Sequence, residues 1–218
     1  MTVYALSTHG VNDTIFRIAD VLEVPVLIAA LLALAAVLFE LGSFAIEVRE
    51  RGRRSTADLE ALAARSRTAL LAGDRDGARR ALLSGTRSAA MADGVAVIAR
   101  VAQQPGGDHR LNKALADFDF ESQKRLARTR LLVRIGPALG LMGTLIPLSP
   151  ALTGLAKGNV DRLTENLRVA FSVTVLGLLV GAVAFGISLY RDRMYGQDYS
   201  DLEYMAAVVS DEREEVRS

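Results

Sequence analysis

The sequence predicts an all-α membrane protein, with three transmembrane helices in an N-out/C-in arrangement and long helices extending into a cytoplasmic helical domain. Three observations carry this reading. Three segments are long and apolar enough to cross a bilayer, whose core of about 30 Å takes roughly 20 helical residues. Charge is segregated: 23% of the 218 residues are charged, yet half are hydrophobic and the mean hydropathy is +0.24. Basic residues are also distributed unevenly around the spans, which sets orientation.

Residues 1–23 form an extracytoplasmic N-terminal segment with Arg17 as its only basic residue. The first span, 24–46, reads VPVLIAALLALAAVLFELGSFAI and is broken only by Glu40. Its front carries Asp20 and Glu23, whereas a cleaved signal peptide has a basic front and a shorter apolar core. Pro25 suits the first turn of a helix. The second span, 131–155, contains the uncharged run Ile135–Leu155, and the third, 169–190, is uncharged throughout.

Arg49, Arg51, Arg53 and Arg54 follow the first span, Lys124, Arg125, Arg128 and Arg130 precede the second, and Arg191 and Arg193 follow the third. These place 47–130 and the tail 191–218 in the cytoplasm, and the short loop 156–168, with Lys157, Arg162 and Arg168, outside.

The cytoplasmic loop reads as helical. Ser55 and Asp58 fit a capping box, and Leu59, Leu62, Ala63, Ser66 and Leu70 follow one helix face. The runs Ala72–Asp74 and Ser84–Gly85 read as breaks, and Gln103–Asp108 as a loop. Asp108 then caps a helix with Leu111, Leu115, Phe118, Ser122 and Leu126 on one stripe, and no breaker separates it from the second span. The tail carries Tyr195, Tyr199, Leu202, Met205 and Val209 at helical spacing. The many charges read mainly as a solvated face.

Composition excludes several classes. A net charge of +1 argues against a global grip on nucleic acid. With no cysteine there are no disulfides or thiolate metal sites, and His9 and His109 stand apart from other ligands. No phosphate loop, metal-ligand spacing or catalytic triad is present, so neither an enzyme nor a cofactor is expected.

Within the membrane, small residues gather on one side of each later span. Gly136, Gly140, Gly143, Thr144, Pro147 and Ala151 share a broad face of the second, and Ala170, Thr174, Gly177, Gly181, Ala184 and Ser188 a matching stripe of the third. Ser172 lies on a neighbouring face. Such stripes serve either close helix packing or a wet, helix-lined path. Pro147 and Pro150 each remove a backbone donor and are expected to bend the outer half of the span. An intramembrane carboxylate such as Glu40 is a functional candidate, although near a helix end it can also reach the interface. The uncharged interiors of the last two spans hold no titratable acid or base, so proton conduction requires a carboxylate from a partner.

The run ESQKRLARTRLLVRIGP leading into GLMGT, followed by a short loop and AFSVTVLGLLVGAVAF, resembles the TolQ/ExbB/MotA proton-channel family. The likeness is strongest over Glu121–Tyr190. A G-L-x-G-T pattern is matched by Gly140, Leu141, Gly143 and Thr144, and a Thr followed closely by Gly-Leu by Thr174, Gly177 and Leu178. Three spans resemble the TolQ and ExbB branch more than the four-span flagellar stators.

The resemblance implies a homopentamer around a pore in the cell inner membrane. A dimer of a single-span partner of the ExbD, TolR or MotB kind would supply the ion-carrying aspartate. Thr144, Thr174 and Ser172 would line the ion path, Gly140, Gly143, Gly177 and Gly181 would pack the helices closely, and Glu40 and Glu165 are candidate ion-path or interface carboxylates. The chain departs from that branch where a glutamate usually opens the third span: Val169 stands there, with Glu165 one turn earlier and Arg168 adjacent. Leu145–Pro150 also replaces an aromatic-containing continuation.

The function expected is thus the pore-forming subunit of a motor driven by H⁺ or Na⁺ flow, doing mechanical work on the cell envelope. The alternatives are a small-molecule or metal-ion transporter subunit, for which the chain lacks a repeat and a charged midplane site, and a non-conducting membrane scaffold.

Overall fold

The computed structural model describes residues 2–53, 59–86, 88–101 and 107–217. They form α1 (Thr2–Arg53), α2 (Leu59–Leu71), α3 (Arg75–Ser84), α4 (Ala89–Val101), α5 (Gly107–Ala156) and α6 (Val160–Arg217), with no strand among the described residues. Three of these helices, α1, α5 and α6, are long and apolar enough to cross a membrane. The expected capping box at Ser55–Asp58, and most of the loop at Gln103–Asp108, lie outside the described residues.

Two helix stops share one chemistry. After α2, Gly73 takes a positive φ of 76° and the Asp74 N–H returns to the Ala69 carbonyl at 2.9 Å. After α5, Gly158 takes a φ of 77° and the Asn159 N–H returns to the Gly154 carbonyl at 2.9 Å. A left-handed residue is cheap only for glycine, and the six-to-one bond satisfies an orphan carbonyl. The next residue then opens a new helix. Asp74 Oδ1 accepts the Gly77 N–H at 2.8 Å, and Asn159 Oδ1 accepts the Arg162 N–H at 3.0 Å.

Because Asn159 caps α6, most of the segment expected as the loop 156–168 is helix, and only the tight turn Lys157–Asn159 separates α5 from α6. The opening of α1 also differs from expectation. Pro25 lies deep inside the helix rather than in its first turn. The ring removes one backbone donor, while the helical bonds on either side of it persist, so α1 continues from Thr2. Pro137, Pro147 and Pro150 are likewise carried within α5.

The chain divides into two compact units. The first comprises Met1–Leu41 and Arg128–Ile187. Its core is drawn from α1 at Val26, Ala30, Ala33 and Val37, from α5 at Leu139, and from α6 at Val173, Val180 and Ala184. The α1 set recurs at helical spacing and is made of small side chains, as expected where helices pack without a hydrophobic drive from water. Outside this seam, between its charged ends, the unit exposes large apolar side chains: Leu32, Phe39, Leu141, Leu145, Phe171, Val175 and Phe185 are all exposed. Only 22%, 28% and 39% of the most apolar windows of α1, α5 and α6 are buried. A surface of this kind calls for hydrocarbon or protein, not water, around it.

The second unit comprises Gly42–Ala127 and Ser188–Ser218. It has an ordinary inside. Leu82 of α3, Met91, Val95 and Ile98 of α4, Leu111, Leu115 and Phe118 of α5, and Leu202, Met205 and Ala206 of α6 form one cluster. Leu126, Met194 and Tyr195 form another, packed against Val48. The α5 stripe from Leu111 to Leu126 is buried along its length, Ser122 included.

Candidate functional site: the seam between two apolar helices

In the first unit, the small-residue stripes of α5 and α6 meet backbone to backbone. A methyl group placed on Gly177 would lie 2.5 Å from the Gly136 carbonyl oxygen and 2.7 Å from the Gly140 Cα. One on Gly136 would lie 2.7 Å from the Gly177 oxygen and 2.8 Å from the Gly181 nitrogen. Glycines four residues apart sit on the same face one turn on, so Gly136/Gly140 and Gly177/Gly181 present two bare strips of backbone. Gly181 abuts the Pro137 ring, and Gly143 abuts the side chain of Val173.

The hydroxyls occupy different settings. Thr174 is half-buried on the seam. Its Oγ1 donates to the Ala170 carbonyl at 2.9 Å, within its own helix, and lies 3.4 Å from the Gly140 carbonyl across the seam. Thr144, also half-buried and one turn beyond Gly140, donates to Leu141 O at 2.7 Å. Ser172 donates to Arg168 O at 2.8 Å and faces outward, away from the seam. Each hydroxyl proton is therefore committed to a carbonyl, and each oxygen keeps acceptor capacity. The three can receive a hydrogen bond from water or a protonated acid, or offer a lone pair to a cation, but they have no spare proton to give.

The two candidate carboxylates are apart from this seam chemistry. Glu40 on α1 is half-buried and makes a polar interaction, whereas Glu165 on α6 is exposed. No cluster of metal-ligating side chains occurs among the described residues.

The second unit holds buried charges that a solvated-face reading of the sequence misses. Asp198 is fully buried, and its carboxylate takes Arg51 Nη2 at 2.5 Å and Nη1 at 3.0 Å, with Ser88 Oγ at 3.1 Å. Ser88 in turn accepts the Met91 N–H at 3.1 Å near the start of α4. About one turn along α1 from Arg51, Glu47 receives Arg191 Nε at 3.1 Å and the Tyr195 hydroxyl at 2.9 Å. Burial, reinforced by the Glu47 charge and hydrogen bond, pushes the Tyr195 hydroxyl up to about 12. Thus Arg51 and Arg191, which mark orientation in the sequence, are also bonded inside the fold. A signal was available: Asp198 falls on the same stripe as Tyr195 and Leu202, an acid on an otherwise apolar face.

A helical protein with three membrane-length helices, two of them meeting along glycine, defines a multi-pass membrane class. Residues 82–200, just over half of the chain, match the MotA/TolQ/ExbB proton channel family. The chain belongs to that family, and its three apolar helices are consistent with the three-span branch. Comparison with individual curated proteins gives no match.

Proposed function

We propose that this chain is the pore-forming subunit of an ion-driven motor. Five copies surround a pore in the cell inner membrane. The N-terminus and the turn at Lys157–Asn159 are outside, and the second unit is in the cytoplasm. A dimer of a single-span partner of the ExbD, TolR or MotB kind stands in the pore and brings the aspartate that carries H⁺ or Na⁺. Passage of the ion shifts the partner against the ring, and the partner delivers work to the envelope.

The observation that carries this reading is the family match across the two spans that build the seam. The chemistry of the seam supports it. The uncharged interiors of both spans lack any titratable acid or base, yet Thr144 and Thr174 retain unused acceptor capacity. Such oxygens suit transient bonding to a protonated aspartate or a partly dehydrated cation arriving from elsewhere. Gly140 and Gly143 on α5, and Gly177 and Gly181 on α6, hold the two helices close enough to fix those oxygens in place. Ser172, facing outward, serves the path from the neighbouring subunit's side, Glu165 stands near its outer mouth, and Glu40 lies at its interface.

The test is ion uptake into proteoliposomes containing the chain co-purified with its single-span partner. Thr174→Val removes the acceptor at nearly constant shape and is expected to abolish uptake without reducing membrane insertion, whereas Thr174→Ser retains it. Uptake by Thr174→Val at the wild-type rate rejects the role of that oxygen. A complex that never conducts, with or without partner, leaves the scaffold reading in its place.

A further inference from the structure

On α5, in the first unit, Arg128 and Arg134 bracket the point where the polar part of the helix becomes the second span. Both are exposed, and among the described residues neither makes an ion pair. At 100° per residue, Arg128, Leu131, Arg134, Ile135, Ala138 and Met142 share one face, with the two guanidinium-bearing positions about 9 Å apart along the axis. Every one of these six is exposed, Leu131 at 56%. The face therefore begins basic and turns apolar within two turns, with no carboxylate of its own to balance it.

We infer that this face of α5 is a binding site for an anionic phospholipid, its phosphate held between Arg128 and Arg134 and its acyl chains laid along Leu131, Ile135 and Met142. The chemistry required of an occupant is specific: negative charge at one level and hydrocarbon directly beyond it. A free anion satisfies only the first, and an apolar helix only the second. A second copy of this unit is poorly suited to supply the charge. The carboxylates on its α5 and α6 segments, Asp161 and Glu165, stand at the opposite end of the seam, beside the Asn159 turn; on its α1 segment Glu40 is already engaged, and Asp13, Asp20 and Glu23 all precede the apolar run that begins at Val24. A guanidinium at the edge of hydrocarbon, without a protein anion, is satisfied by a headgroup phosphate, which it bonds through two parallel N–H groups. The inference rests on the chain crossing a membrane and is independent of whether it conducts ions.

The experiment is native mass spectrometry of the delipidated full chain in detergent, titrated with dioleoyl phosphatidylglycerol or, separately, dioleoyl phosphatidylcholine. The wild type is expected to take up phosphatidylglycerol in preference to phosphatidylcholine. With each basic side chain near a membrane surface contributing on the order of 1 kcal/mol, Arg128→Gln/Arg134→Gln should weaken phosphatidylglycerol binding roughly thirtyfold. Arg168→Gln, an exposed arginine on α6 at the other end of the unit, should leave it unchanged. Arg128→Lys/Arg134→Lys should retain the preference, which separates a lost charge from a damaged fold. Equal binding of the two lipids, or equal binding by the wild type and the double glutamine variant, overturns the proposal. So does a drop from oligomer to monomer in the glutamine variant, which assigns the face to a second copy.

Discussion

Replacing Gly177 by alanine puts the seam to its hardest test. The added methyl would sit 2.5 Å from the Gly136 oxygen, 2.7 Å from the Gly140 Cα and 2.8 Å from the Gly140 nitrogen. The first is about 0.9 Å short of the 3.4 Å at which ordinary contact begins. All three obstacles are backbone, so no rotamer change relieves them and α5 and α6 must move apart. Overpacking of this kind costs about 1–3 kcal/mol. In water, alanine would recover up to about 1 kcal/mol of helix propensity. In a membrane the separated helices remain helical, so that gain cancels and the overpacking cost stands. Gly186→Ala is the control, because nothing lies within 4 Å of a methyl there, and its effect should stay within about 0.5 kcal/mol. Gly143→Ala is the informative third variant. Its obstacle is the side chain of Val173, so adding Val173→Ala should rescue it, whereas no side-chain truncation rescues Gly177→Ala. The assay is thermal melting of the detergent-purified protein, read as loss of the monodisperse peak in size-exclusion chromatography. Gly177→Ala melting at or above the wild type, alongside an unchanged Gly186→Ala, would refute the backbone contact.

Three further outcomes concern the second unit and the topology. Asp198→Ala leaves the Arg51 guanidinium, only 15% exposed, without its counter-charge and with the Met194 carbonyl at 3.3 Å as a remaining acceptor, and breaking a buried pair costs about 3–5 kcal/mol; replacing both residues with apolar ones of similar volume should recover most of the melting temperature lost. Tyr195 has its folded pKa raised above the unfolded 10 to about 12, so its contribution is fully present below pH 10 and is lost as pH rises toward 12; Tyr195→Phe should remove that alkaline slope, and its persistence would assign the slope to another group. Cysteine at Lys157 is expected to react with an impermeant maleimide in intact cells, and cysteine at Lys113 only after permeabilisation; the reverse pattern inverts the proposed orientation.

What could be read from the sequence is what local physics decides. Apolar length marks the spans, and period marks the buried stripe from Leu111 to Leu126. The break at Ala72–Asp74 announces itself because glycine followed by a capping acid is a local stop-and-start signal. The same signal stands at Lys157–Asn159, but the loop 156–168 is bounded in the sequence only by the apolar ends of the spans, and the Asn159 cap shows that α6 opens well before its apolar run. Pro25 misleads for the opposite reason. A proline is a boundary marker where water competes for the freed carbonyl, and a weak one where a long apolar helix has no alternative to continuing. The Asp198–Arg51 pair joins residues 147 apart, and no local pattern names such a partner. Sequence supplied the acid on an apolar stripe, and only the fold supplies the base.

The glycine stripes are the intermediate case, and they bear on how ions could use this seam. Periodicity reveals two small faces, but two readings share that pattern: helices packed dry against each other, or helices lining a wet path. The geometry makes them compatible at different residues. Gly136, Gly140, Gly177 and Gly181 are spent on backbone contact, where no water fits between a glycine and a carbonyl it nearly touches. The hydroxyls one turn along are not spent in the same way, since each gives its proton to its own helix and keeps an acceptor oxygen. Donors fixed in this manner do not exchange a proton with a passing acid; they only accept from it. In the proposed motor, a path built on them would work in one sense, with the proton remaining on the arriving group as it passes Thr144 and Thr174. In the motor proposed above, this division would leave protonation to the partner and positioning to this chain, and it would reconcile two span interiors without Asp, Glu, Lys or His with membership of a proton channel family.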